Sequence, residues 1–136
     1  DYKPIYSQNN QKFGIRIIEF NENRSNKILA TKLKKYSYKK DNIFLYELKL
    51  LSSENKLVLS KDTKGDPLLL GLKINLKIEV YEEDTMISKK EYSEQFNYQN
   101  LSKKFELNSY ESEIRSNIYN EIISKILIDL ANLKWF

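Results

Sequence analysis

The groups able to do chemistry in this chain are lysines, carboxylates and tyrosines, because its 136 residues include no histidine and no cysteine. That removes thiol chemistry, disulfides, most zinc sites and every triad that uses an imidazole base. No GxSxG, GxGxxG or P-loop spacing occurs, and Gly14, Gly65 and Gly71 stand apart from one another. Glu19, Glu47, Glu79 and Glu91 lie among lysines in extended stretches, the setting of a surface ion pair. Glu82, Glu83 and Asp84 form a compact acidic run, but hard-cation loops spread their ligands through a glycine-containing turn. The run therefore reads as an exposed hairpin tip. No catalytic residue, metal ligand or cofactor is expected, and the chain is expected not to be an enzyme.

Lysines are what remain. Lys61 precedes and Lys64 lies within a strong turn signal, Thr63-Lys64-Gly65-Asp66-Pro67, and Lys103 and Lys104 lie in the stretch 100–107, read as a loop. Four ammonium groups gathered in one place would bind phosphates or acidic sugars. Whether they gather depends on the elements that carry them. The positioning element is the stretch 68–81, in which Leu68, Leu70, Leu72, Ile74, Leu76, Ile78 and Val80 occupy every even position. That two-residue period is a β-strand with one buried and one wet face. Its length, roughly 45 Å at about 3.4 Å per residue, calls for an equally long cover.

The C-terminal stretch 109–133 supplies the cover. Tyr110, Ile114, Ile118, Ile122, Ile126 and Leu130 fall on one helical stripe, widened by Ile123 and Leu127. Asn108 followed by Glu111 resembles a capping box that would start this helix, with 100–107 as a loop. Upstream, 13–20 is a strand that reads as buried on both faces, and 24–36 is an amphipathic helix capped from 21–23. A second strand, 42–53, meets a bend or bulge at Ser52-Ser53-Glu54-Asn55 and resumes at 57–59. A further strand, 86–99, presents Tyr92, Phe96 and Tyr98 to the core, so these rings are not read as a nucleic-acid stacking platform. Residues 1–12 read as an extended arm and Lys134-Trp135-Phe136 as a short tail with exposed or end-packed rings.

The fold class that follows is α+β. It is a single-domain, two-layer sandwich with two helices on one face of a four-stranded, mostly antiparallel sheet, in the order β-α-β-β-β-α. The first strand is free to lie beside either edge of the antiparallel meander; a parallel pairing would make the helix a right-handed crossover. In such a meander the 62–66 turn and the loop after residue 99 lie at the same end. Lys61, Lys64, Lys103 and Lys104 should then share one tip. The uncovered sheet face would carry Lys49, Lys73, Asn75, Lys77, Glu79 and Gln95, turned to water or to a partner. The net charge of +4 is mild and gives no reason to expect a nucleic acid. No apolar run approaches the roughly 18 residues needed to span a bilayer.

The opening Asp1-Tyr2-Lys3-Pro4-Ile5-Tyr6 resembles the segment that follows the lipidated cysteine in the lipopolysaccharide-assembly lipoproteins, the LptE family. The element order is similar along nearly the whole chain, as is the terminal helix with Glu113, Ile118-Tyr119, Ile122, Ile126 and Leu130. The resemblance implies an LptE-like domain over 1–136, lipid-anchored through a cysteine ahead of Asp1 to the periplasmic side of the Gram-negative outer membrane. It implies a non-enzymatic role: binding lipopolysaccharide while scaffolding and plugging the β-barrel LptD. It also implies that Lys61 and Lys64 at the turn, and Lys103 and Lys104 before the last helix, contact lipopolysaccharide. The alternative from the residues alone is a free periplasmic binder or carrier of an acidic lipid or glycan.

Overall fold

A computed structural model describes residues 12–133; the expected arm, apart from Lys12, and the Lys134–Phe136 tail lie outside the described residues. The elements are β1 (Phe13–Phe20), α1 (Arg24–Leu33), β2 (Phe44–Lys61), β3 (Pro67–Glu82), β4 (Thr85–Gln99) and α2 (Lys104–Asn132), with a 3-10 turn at Lys34–Tyr36 after α1. The sheet order is β1-β2-β3-β4. β1 pairs parallel to β2 across the α1 connection, while β2, β3 and β4 form antiparallel pairs. Both helices pack on one face, so the architecture is the two-layer α+β sandwich that the periodicities required.

Alternation decides the core. Leu70, Leu72, Ile74, Leu76, Ile78 and Val80 are buried, joined by Tyr46, Leu48 and Leu50 from β2 and by Leu29 and Leu33 from α1. From α2, Ile114, Ile118, Ile122, Ile123, Ile126, Leu127 and Leu130 close the layer. The α1 entrance is built as the sequence suggests: Asn23 caps the helix, its Oδ1 accepting from the Asn26 N–H at 2.8 Å. The two-residue β3–β4 turn places Glu83 and Asp84 at φ 49° and 66°, the twist-matched form of a tight hairpin.

Four expectations are corrected. β2 runs unbroken through Ser52–Asn55, in register with β3, and its irregularities fall later, at Val58–Lys61. α2 begins at Lys104, not after Asn108. Glu111 is buried against the Tyr98 hydroxyl and lies 2.9 Å from Lys56 Nζ, so it is not available to cap a helix start. β1 is buried on both faces only near its start, and Ile18 and Phe20 are exposed. Phe96 is 48% exposed, because β4 is an edge strand and α2 does not reach over that ring; Tyr110 and Leu68 are likewise exposed.

The polar residues that looked like a bend form a seam between the layers. β1 stops opposite Leu50, and asparagine side chains continue its ladder: Asn21 Oδ1 accepts from the Ser52 N–H at 3.2 Å, and Asn23 Nδ2 donates to the Ser52 carbonyl at 2.8 Å. The Ser52 hydroxyl donates to Asn26 Oδ1 at 2.7 Å, with both residues buried. Next along β2, Glu54 takes Arg115 Nε at 2.7 Å, Arg24 at 2.8 Å and the Tyr119 hydroxyl at 3.0 Å. Burial pushes the Glu54 carboxyl up, but the hydrogen bonds from Arg115, Arg24 and Tyr119 outweigh it and hold the carboxyl below 4.5. Glu111 is lowered in the same way, burial opposed by Lys56 and Tyr98. Burial first, and then the Glu54 carboxylate, pushes the Tyr119 hydroxyl up to about 12.

Two outcomes follow from this packing. Ile122→Ala, at a fully buried site beneath β3, should cost about 2–5 kcal/mol and lower the urea midpoint at unchanged slope. Glu54 and Glu111 have folded pKa values below their unfolded ones, so their stabilisation is complete above pH 4.5 and is lost as pH falls below it. A Glu54→Gln, Glu111→Gln variant should be less stable than the parent at pH 7, with the gap narrowing toward pH 3 in urea titrations.

Candidate functional site

The antiparallel register brings the two lysine loops to one end. Lys61 pairs with Pro67 across the β2–β3 turn, and Leu69 pairs with Gln99 at the end of β4. Asn100 fixes the following loop to that turn: its N–H donates to the Leu68 carbonyl at 2.9 Å, and its Nδ2 to the Pro67 carbonyl at 3.0 Å. Lys61, Lys64, Lys103 and Lys104 therefore sit at the same tip, and all four are exposed. The turn itself is hydrogen-bonded internally. Asp62 Oδ1 accepts from the Lys64 and Asp66 N–H groups at 2.8 and 2.9 Å, and Gly65 takes φ +90°.

Two features at this end were not legible in the sequence. Because α2 starts at Lys104, its N-terminus stands among the lysines, and Lys103 caps it with no side-chain hydrogen bond. Its first N–H groups and the positive end of its dipole add to the ammonium charge. The same end also exposes apolar side chains: Phe105 at 82%, with Val58, Leu68 and Leu101. Val58 and Leu68 belong to the covered face of the sheet but lie beyond the reach of α2. Phe105 and Leu101 were hidden in what read as a featureless loop. The tip is thus amphipathic, cationic at its loops and greasy between them. Its acidic groups are Asp62, Asp66 and Glu106, the last 4.0 Å from Lys103 Nζ.

The second surface is the sheet face away from the helices. Cross-strand register lines up Lys49 with Glu79, Asn55 with Lys73 and Gln95, Ser53 with Asn75, and Leu51 with Lys77. All six residues expected there, Lys49, Lys73, Asn75, Lys77, Glu79 and Gln95, share this face. It is internally bonded. Lys49 Nζ lies 4.9 Å over the Tyr81 ring, and the Tyr81 hydroxyl donates to Glu79 at 2.7 Å. Lys77 pairs with Glu91 at 3.8 Å, Ser93 donates to Asn75 at 2.8 Å, and Gln95 to Asn97 at 2.8 Å. Leu51 and Leu59 interrupt it with exposed apolar patches. Among the described residues, no group of three or more acidic side chains is arranged to hold a metal ion, and no helix is long and apolar enough to cross a membrane.

No protein-family model and no curated protein sequence matches the chain. Solved structures do. The rare lipoprotein B from Shewanella oneidensis superposes with a TM-score of 0.60 at 12% identity, over 90% of this chain and 98% of that one. A minor lipoprotein from Acinetobacter baumannii gives 0.63 at 16% identity, over 88% and 90%. Lipoprotein B from Nitrosomonas europaea gives 0.63 at 10% identity, over 90% and 84%. At such identities the likeness is one of fold, and the chain has the fold that these bacterial lipoproteins share.

Proposed function

We propose that the protein is a non-enzymatic outer-membrane lipoprotein that binds lipopolysaccharide and scaffolds and plugs an LptD-type β-barrel. The observation that carries this reading is the tip: four lysines and an uncapped helix N-terminus beside exposed Phe105, Leu101, Leu68 and Val58. A ligand that matches it must be both anionic and greasy. The phosphorylated, acylated end of lipopolysaccharide has both properties, whereas a free glycan or phosphate would leave the apolar groups without a role. The name lipoprotein on the structures that share the fold supports the anchored form of the proposal.

The two poles of the molecule support the same arrangement. The described chain enters at Lys12, whose carbonyl accepts from the Ile43 and Phe44 N–H groups, at the end of the sheet away from the lysines. From Phe44 to Lys61 the 18 residues of β2 span roughly 60 Å at about 3.3 Å each. An anchor ahead of residue 1 would tether the molecule through the pole opposite the tip. The long polar sheet face, with its hydrogen-bonded rows of Lys, Asn, Gln and Ser, is suited to lie along the wet inner wall of a barrel.

The test uses purified lipopolysaccharide in detergent at low salt. Changing Lys61, Lys64, Lys103 and Lys104 together to Glu should weaken binding by at least about ten-fold, with circular dichroism unchanged. Phe105→Ser, at a side chain 82% exposed, should weaken binding of lipopolysaccharide while leaving inorganic phosphate binding unaltered. Unchanged affinity of the quadruple variant would remove the tip as the site. A lipobox ending in cysteine just before Asp1 in the precursor gene, with recovery of a large outer-membrane barrel alongside the protein, separates the plug from a free periplasmic carrier.

A further inference from the structure

The mild net charge of the chain hides a strong local imbalance. Seven of its 23 basic residues fall between Arg24 and Lys40 with no acid among them, so taking those seven from the net +4 leaves −3 on everything else. The tip has no such excess, because Asp62, Asp66 and Glu106 stand among its four lysines. Within the basic stretch, Arg24 pairs with Glu54, Lys27 pairs with Glu22, and Lys32 donates to Ser116 and Asn120. Lys34, Lys39 and Lys40 are exposed and form no ion pair among the described residues. The C-terminal carbonyls of α1 account for a cation at Lys34, but Lys39 and Lys40 lie beyond the helix.

The loop that follows, 37–43, is held in a fixed shape at the pole opposite the tip. The Tyr38 N–H donates to the Ile15 carbonyl at 3.2 Å, and Gly14 permits this approach, since a Cβ there would collide with the Tyr38 backbone. A closed turn comes next. The Asn42 N–H donates to the Lys39 carbonyl at 2.9 Å, and the Asn42 side chain accepts from the Lys39 N–H at 2.7 Å, with Lys40 and Asp41 at the apex. The Ile43 N–H then bonds the Lys12 carbonyl at 2.7 Å, where the described chain enters. This backbone holds two apolar groups out among the lysines: the Ile43 side chain, 69% exposed, and the Tyr38 ring, 43% exposed. Besides Asp41, the acids at this pole are Glu82, Glu83 and Asp84 of the β3–β4 turn. The Ser37–Ile15 bridge puts the start of the loop outside β1, so roughly 10–15 Å of sheet separates it from that turn. That is about a Debye length at 0.1 M salt or more, and the basic corner keeps its own field.

We propose that this corner docks the protein on the surface of an anionic phospholipid bilayer, with Lys34, Lys39 and Lys40 at the headgroups and Ile43 and Tyr38 entering the interface. Each lysine close to an anionic leaflet strengthens attachment about five-fold. A wholly polar polyanion such as a nucleic acid would leave Ile43 without a role, whereas a bilayer takes up an aliphatic group and seats a tyrosine ring at headgroup level. The corner also adjoins Lys12, so a lipid anchor ahead of residue 1 would act on the same surface. An acyl chain joined by a basic patch holds a membrane more firmly than either alone. The docking itself needs neither that anchor nor lipopolysaccharide binding at the tip.

The test is co-sedimentation of the full chain, without a lipid anchor, with vesicles of phosphatidylcholine alone or with about 30% phosphatidylglycerol, in about 0.1 M salt. The chain should partition onto the anionic vesicles and not onto the neutral ones. Changing Lys34, Lys39 and Lys40 together to Glu should weaken that partitioning at least about ten-fold, and by more than changing the four tip lysines does. Ile43→Ser should weaken it about three-fold or more while leaving binding to single-stranded DNA, a probe of charge alone, unaltered. Circular dichroism and the urea midpoint should stay in place for both variants, because every changed side chain is exposed. Equal binding to the two kinds of vesicle, a triple variant that partitions like the parent, a larger loss from the tip variant, or an Ile43→Ser variant without effect would each overturn the proposal.

Discussion

The structure depends on covering one long greasy ribbon. β3 runs for 16 residues, about 50 Å, and six consecutive even positions, from Leu70 to Val80, are apolar and buried. Removing such a face from water is the main stabilising term available to a domain this small, at about 25 cal/mol per Å² of apolar area. It is met only if something of similar length lies along it. The 29 residues of α2 supply about 43 Å, nearly enough. The shortfall appears at the tip, where Leu68 and Val58 stay exposed although they sit on the covered face. The greasy part of the candidate site is therefore where the cover ends.

The same constraint explains the polar seam. α1 covers the sheet only where β1 and the first half of β2 lie, and α2 runs mainly over β3 and β4. Between them, the inward positions of β2 change from Tyr46, Leu48 and Leu50 to Ser52, Glu54 and Lys56. A buried polar group costs little only when it is bonded. Buried Ser52 is bonded by Asn21, Asn23 and Asn26, half-buried Glu54 by Arg24, Arg115 and Tyr119, and buried Glu111 by the exposed Lys56. The seam is directional where the apolar core is not, so it fixes how α1 and α2 sit along β2. In the observed register the Tyr119 hydroxyl reaches both Ser25 and Glu54.

What the sequence disclosed follows from these two kinds of bonding. Apolar burial leaves a periodic trace, so the strand from Leu68, the helix ending near Leu133 and the whole element order were legible. The antiparallel connection of three strands then placed Lys61 and Lys64 with Lys103 and Lys104, without knowledge of a single side-chain contact. Tertiary polar contacts leave no such trace. Ser52-Ser53-Glu54-Asn55 has the composition of a turn, but pairing with β3 and side-chain partners some thirty to sixty residues away keep it in the strand. Asn108 and Glu111 have the spacing of a cap, yet Glu111 is committed to Tyr98 and Lys56. Misplacing that helix start concealed Phe105 and the uncapped N-terminus, and with them the amphipathic character of the tip.

An amphipathic tip at the end of a stiff ribbon behaves differently from the same residues on a loop. The Asp62 and Asn100 hydrogen bonds fix the turn and the loop to each other, so little ordering is needed when a ligand arrives. The lysines project at the rim, where water screens their mutual repulsion and each contributes weakly. Exposed Phe105, Leu101, Leu68 and Val58 would change that balance for the proposed ligand: an acyl chain displacing water from among them would lower the local dielectric and strengthen every ammonium–phosphate contact. On the proposed function, apolar contact and charge at this end would be cooperative, and an anionic amphiphile would be held more tightly than the sum of a fatty acid and a phosphate bound separately. The selectivity proposed for the tip would reside in that coupling, which needs both the unfinished cover of β3 and the lysine-bearing loops that the sheet register brings beside it.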